Sequence, residues 1–139
     1  MPPHAHSMDT RLHSLIVDYL AAVVAAVNLL KEGGVAMPES NVAWACNGLP
    51  HNGTLPGGVP YFKHGYGCGV ELETGLVDFD FGQNGETNGF DFWRLARFAG
   101  DRLSQYAFTS KEELRECFQF AVDSGAFVPS AYMLHYLRK

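Results

Sequence analysis

The stretch "YFKHGYGCGVELETGLVDFDFGQNGETNGFDFWRL", residues 61–95, gathers the side chains able to do chemistry: His64, Cys68, Asp78, Asp80, Asp91 and Arg94, set among glycines and large aromatics. A catalytic reading takes Asp78 and Asp80 as a carboxylate pair, His64 as acid or base and Arg94 as an anion clamp, which would make a small metal-dependent hydrolase. Carboxylates two apart on a strand do share a face, but so do those of any solvated acidic strand. The solvated face is the simpler reading. "HGYGCGV" lacks the strand-to-helix elbow that exposes a nucleophile, and Cys68 begins a strand instead.

Metal chemistry fits no better. Asp80-x-Gly82-x-Asn84-Gly85-Glu86, with Asp91 in twelfth place, echoes a calcium loop, yet Gly82 replaces an oxygen ligand, Asp91 is shorter than the usual bidentate Glu, and a strand precedes the loop. Zinc through His64 and Cys68 would need two further ligands, for which His51, Cys46 and His135 can be named without a spacing argument. No metal or cofactor is therefore expected. The three cysteines, Cys46, Cys68 and Cys117, are odd in number and lack C-x-x-C spacing, which predicts small buried thiols rather than a disulfide framework.

The remaining residues of the stretch have structural work to do. Glycines at 65, 67, 69, 82, 85 and 89 suit turns and close backbone approach, and Tyr61, Phe62, Phe79, Phe81, Phe90, Phe92 and Trp93 supply core or interface area. Arg94 and Arg97, on a helix after an acidic strand, are placed to pair with Asp78 or Asp80.

The elements that position these groups follow from periodicity. Leu12, Leu15, Ile16, Tyr19, Leu20, Val23, Val24, Val27 and Leu30 recur at helical spacing, with Asp9 as N-cap and Gly33 or Gly34 as the stop. The apolar face is wide, so this helix should lie across a sheet or other helices. Pro38 to Gly48 predicts a short helix, and "LPHNGTLPGGVP" a loop. Three short strands follow, Tyr61 to Lys63, Cys68 to Leu72 and Leu76 to Phe81, forming an antiparallel meander. On the third, Val77, Phe79 and Phe81 face the core while Asp78 and Asp80 form an acidic face.

Asp91 is placed to cap a helix, with Phe90 and Leu95 as a hydrophobic staple. Ser110-x-x-Glu113 is a capping box opening a helix with Leu114, Cys117, Phe118, Phe120 and Ala121 as its apolar stripe and Gly125 as its end. A last short helix carries Met133, Leu134 and Leu137. The expectation is an α+β fold: a small three-stranded antiparallel sheet over about residues 59–81, packed with a long N-terminal helix and C-terminal helices. Residues 1–8 read as a disordered tail and 9–139 as one domain.

Composition agrees with a folded single domain. The chain has 139 residues, 47% hydrophobic and 18% charged, with ten Phe and six Tyr, outside the range of disordered chains. A net charge of -5 argues against nucleic acid, whose affinity comes mostly from Lys/Arg counterion release. It suits a basic partner. The N-terminus lacks the cationic-then-apolar order of a signal peptide, and no uncharged apolar run of membrane-spanning length occurs, so a cytoplasmic protein without a membrane span is expected.

The string also resembles a family of small bacterial proteins whose shared pattern is a His-Gly-x-Gly-Cys turn, a Val-Asp-Phe-Asp-Phe-Gly strand and a Gly-Phe-Asp-x-Trp-Arg-Leu helix start. The likeness covers roughly residues 38–100. The matching positions are His64, Gly65, Gly67, Cys68, Asp78, Asp80, Gly89, Phe90, Asp91, Trp93 and Arg94; Phe92 departs from the more usual proline. The resemblance implies an immunity protein that binds and neutralises a polymorphic or contact-delivered toxin. On that reading the partner is a cognate toxin domain with a basic cleft, and Asp78, Asp80, Glu71, Glu73 and Tyr66 are the contact candidates. Trp44 and Tyr132 are further aromatic anchors if exposed.

Overall fold

The computed structural model describes residues 8–34, 49–64, 67–73, 75–79, 91–129, 131–132 and 135. Helix α1, Thr10–Glu32, opens on Asp9, whose carboxylate accepts a hydrogen bond from the Arg11 amide at 2.8 Å. It ends at Gly33, with Gly34 at φ 93° immediately after. Its buried residues are Leu12, Leu15, Ile16, Tyr19, Leu20, Ala22, Val23, Ala26, Val27 and Leu30. Ala22 and Ala26 join the expected stripe while Val24 falls to its margin. Small side chains there let the helix approach its neighbours closely. By length and mean hydropathy, 1.7 over its most apolar window, α1 could also cross a membrane, but half of that window is buried within the fold.

The sheet has four strands, not three. They are β1 Asn52–Leu55, β2 Val59–His64, β3 Gly67–Leu72 and β4 Gly75–Phe79, paired antiparallel in sequence order. β1 falls in the segment expected to be loop. Its strand pairs Asn52 to Leu55 with Phe62 to Val59. The intervening turn, Pro56–Gly58, uses Gly57 and Gly58 at φ 82° and 80°, a backbone that only glycine adopts cheaply. The prolines and glycines thus make a hairpin, with Pro56 in the turn and Pro60 one residue before the pairing of β2 with β3 begins at Tyr61.

One sheet face carries Leu55, Tyr61, Val70 and Val77, all buried, and α1 packs against β3 and β4. The C-terminal end of α1 reaches Leu55 of β1 at Gly33. The other face carries Phe62, Gly69 and Asp78, where the register sets Phe62 opposite Gly69 and Gly69 opposite Asp78. The Phe62 ring occupies the space that a side chain at Gly69 would need.

Helix α2, Phe92–Ala99, is capped by Asp91, whose carboxylate accepts from the Arg94 amide at 3.0 Å. It lies against β4. Phe98 meets Tyr19 of α1 edge-on at 5.3 Å between ring centres. Helix α3, Lys111–Asp123, opens on Ser110, whose hydroxyl accepts from the Glu113 amide at 3.1 Å. The Glu113 carboxylate reaches back to the Thr109 amide at 3.0 Å, one residue earlier than a standard capping box. Leu114, Phe118 and Ala121 form its buried stripe.

Phe120, expected in that stripe, is 64% exposed. Two residues beyond Phe118 are about 200° around the helix, so Phe120 has to point away from the core. Beyond Gly125, at φ 80°, Phe127 is buried, and Pro129, Ala131, Tyr132 and His135 have helical backbone. Phe127 packs edge-on against Phe118 at 5.7 Å and Tyr132 at 4.9 Å. The expected helix near 38–48, most of the tail, the calcium-like loop and the Phe90 staple lie outside the described residues.

Candidate functional site

The packing of α2 beside β4 gathers the charged part of the motif. Asp78 is only 5% exposed. Its carboxylate Oδ2 accepts a hydrogen bond from Arg97 Nη1 at 2.6 Å, the partnership anticipated from an acidic strand followed by a basic helix. The acidic face is therefore corrected at Asp78: strand alternation turns it away from Val77, but both residues are buried. Alternation fixes which face a side chain takes, not whether another element covers that face.

Asp91 has a double role. It caps α2 and also accepts from the Arg94 guanidinium. Arg94 thereby lies folded over the start of its own helix, its side chain 12% exposed. Asp78, Trp93, Arg94 and Arg97 line a cavity of about 460 Å³. Trp93 at its mouth is 64% exposed, whereas adjacent Phe92 is buried. Arg115 of α3 places its guanidinium 4.3 Å from the Phe92 ring centre and 4.8 Å from that of Trp93. Beneath this group the Tyr19 hydroxyl donates to the Asp78 carbonyl at 3.3 Å. Complete burial pushes the Tyr19 phenol far above its ordinary pKa, so this group stays a neutral donor.

A second polar cluster joins α1 to α3. Arg11 donates to Asp9 at 2.9 Å, to Glu113 at 3.1 Å and to the Ala107 carbonyl at 3.2 Å, while its guanidinium lies 4.5 Å from the Phe108 ring centre. The Arg11 hydrogen bond holds the Asp9 carboxyl down at about 2. Cys117 lines the neighbouring cavity, and burial pushes its thiol up to about 11. At neutral pH that thiol is protonated and a poor nucleophile.

Other sequence candidates are more scattered. Glu71 and Glu73 are exposed on and just after β3. His64 and Gly67 pair through their backbones at the β2–β3 turn. Asp80, Tyr66, Gly65, Gly89, Phe90 and Trp44 lie outside the described residues, and Tyr132 is half-buried. Among the described residues no group of three or more His, Cys, Asp or Glu side chains could hold a metal. His51 and His135 are both exposed.

Cys68 corrects another expectation. It is fully buried on β3, as a small apolar residue should be, but it is disulfide-bonded, while Cys117 is free. An odd cysteine count without a spacing motif conceals such a bond, because pairing depends on proximity in the fold.

Trp93, expected only as core or interface area, is a surface aromatic, as is Phe120. The signal was present in α2: Phe92, Leu95, Ala96 and Ala99 make the buried stripe, which leaves Trp93 and Arg97, one turn apart, on the opposite side.

No curated protein and no solved structure matches the chain. One family model does, over residues 12–137, and its description is a domain of unknown function. That match spans the long helix, the sheet and the C-terminal helices, and on it the chain belongs to the DUF6896 family.

Proposed function

We propose that this is an immunity protein, which neutralises a cognate bacterial toxin by direct protein–protein contact. The observation that carries the reading is the contrast between Asp78 and Trp93. The carboxylate most needed for catalysis is 5% exposed and engaged by Arg97, while a large aromatic on an adjacent, well-braced helix is 64% exposed. Interfaces draw their energy from such anchored aromatics and arginines. The resemblance of the central string to toxin-associated proteins, and the net charge of -5, support the same reading. Exposed Glu71 and Glu73 are complementary to a basic cleft; Asp78 contributes through the shape of the scaffold.

Binding of this kind needs no cofactor. It would take place in the cytoplasm of the producing cell, and the Cys68 disulfide bears against that placement, because the cytosol keeps thiols reduced. The alternative, a metal-dependent hydrolase using His64, Asp78 and Asp80, requires the Asp78 carboxylate to exchange Arg97 for a metal or substrate. Co-expression with the toxin encoded beside this gene tests the proposal: protection of growth together with a stable purified complex is expected. Toxin activity undiminished at saturating protein would end it.

A further inference from the structure

The ion pair in the central cavity is polarised toward solvent. The Asp78 side chain is 7% exposed and that of Arg97 53%, so this pair turns its cation outward, whereas in the neighbouring Asp91–Arg94 pair the acid is the more exposed partner, 32% against 12%. Arg115 is likewise exposed. Its guanidinium lies over both Phe92 and Trp93, and this contact braces the exposed indole. A ring already held in place loses little rotamer freedom on binding. One indole is thus flanked by two exposed guanidiniums, those of Arg97 and Arg115, beside a cavity of about 460 Å³.

We infer that Trp93, Arg97 and Arg115 anchor a protein partner that presents a carboxylate-bearing segment. The indole takes the apolar stems of that segment, and the two planar guanidiniums fork its carboxylates. Nucleic acid is the poorer occupant, because the overall acidity of the chain opposes the extended counterion release on which that binding depends. The inference rests on the immunity reading for the identity of the partner. It assigns the contact to Trp93 and these two guanidiniums, distinct from Glu71 and Glu73.

The test is calorimetry of the full chain against the purified product of the neighbouring reading frame, with thermal melts to verify that each variant folds. Trp93→Ala and Arg115→Glu should weaken binding at least ~30-fold, the threshold of an interface hot spot, and Trp93→Phe should weaken it less. Wild-type affinity in folded Trp93→Ala overturns the surface assignment and leaves the immunity reading standing.

If the wild-type chain does not bind that product, the immunity reading falls. The surface is then judged with poly-L-glutamate: quenching of tryptophan fluorescence that disappears in Trp93→Phe supports it, and no quenching overturns it. A response to a single-stranded oligonucleotide without one to poly-L-glutamate overturns it in favour of nucleic acid. Dimerisation abolished by Trp93→Ala overturns it in favour of a second copy of the chain.

Discussion

Replacing Asp78 with Asn removes a charge and little else, which makes it the sharpest probe of whether the central carboxylate is architecture or chemistry. The carboxylate accepts from Arg97 at 2.6 Å and is nearly buried. A hydrogen bond to a charged group contributes about 1.5–3 kcal/mol. Arg97 is 53% exposed, and solvent screening of that half-open cation reduces the expected loss to about 1–2 kcal/mol. With a urea m-value of about 1.5 kcal/mol/M, the unfolding midpoint should fall by roughly 1 M. Arg97→Ala should cost a similar amount, and the double variant less than the sum of the two, with a coupling of about 1 kcal/mol. The assay is urea unfolding followed by circular dichroism, run beside toxin protection. Below the unfolding transition, Asp78→Asn should still protect. A variant with the wild-type midpoint and no protection would refute the reasoning, because the carboxylate would then be acting on something other than the fold.

The other predictions probe the supporting structure. A Cβ on Gly69 would lie 2.6 Å from Phe62 Cε1; Gly69→Ala should therefore destabilise by about 1–3 kcal/mol, yet stabilise by roughly 0.5 kcal/mol in a Phe62→Ala background. Equal effects in both backgrounds would refute the stacking of Phe62 on Gly69. Asp9, held at about 2 by its Arg11 hydrogen bond against an ordinary 3.8, contributes stability that is fully present above its unfolded pKa. That contribution is lost as pH falls from about 3.8 through about 2. Asp9→Asn should flatten this part of the stability–pH curve, by no more than about 1 kcal/mol given its exposure. In alkylation at pH 8, Cys117 should react slowly because its thiol is held up to about 11, and Cys68 only after reduction and unfolding, being both disulfide-bonded and fully buried. Acid-quenching producing cells and alkylating the denatured chain without reductant tests the compartment, since Cys68 is fully buried in the fold: Cys68 unlabelled means an oxidising environment, and Cys68 labelled means a reducing one.

The helices were the most legible part of this fold because their signals are local. Asp9 and Ser110 cap where a short polar side chain precedes an apolar period, and Asp91 does so two residues before Trp93. β1 was hidden because Asn52–Leu55 is too short to show an alternation, and the turn residues around it read equally well as loop. Asp78 illustrates a different limit. Its partner could be named from sign and proximity in sequence, whereas its burial depends on α2 lying against β4, a long-range packing choice with no period to announce it. The disulfide at Cys68 is of the same kind. Trp93 was within reach, since the spacing of Phe92, Leu95, Ala96 and Ala99 fixes the outward side of α2.

These placements change where the chain's acidity can act. The alternation of the central strand predicts an acidic face of Asp78 and Asp80, but Asp78 is taken up by Arg97 of α2, and Asp91, the expected cap, also binds Arg94. Each pair costs side-chain freedom and desolvation, which a merely solvated acidic strand would avoid. What the two pairs provide is orientation: α2 is tied to β4 at Arg97 and to its own N-terminus at Arg94, with Trp93 beside both at the same cavity. A single lost pair should therefore disturb the presentation of Trp93 before it unfolds the domain. Asp91→Ala, which removes cap and ion pair together, should show this as a shift in tryptophan emission at urea concentrations below the main transition. Coincidence of the emission change with global unfolding would mean that the pairs hold the fold without setting the surface.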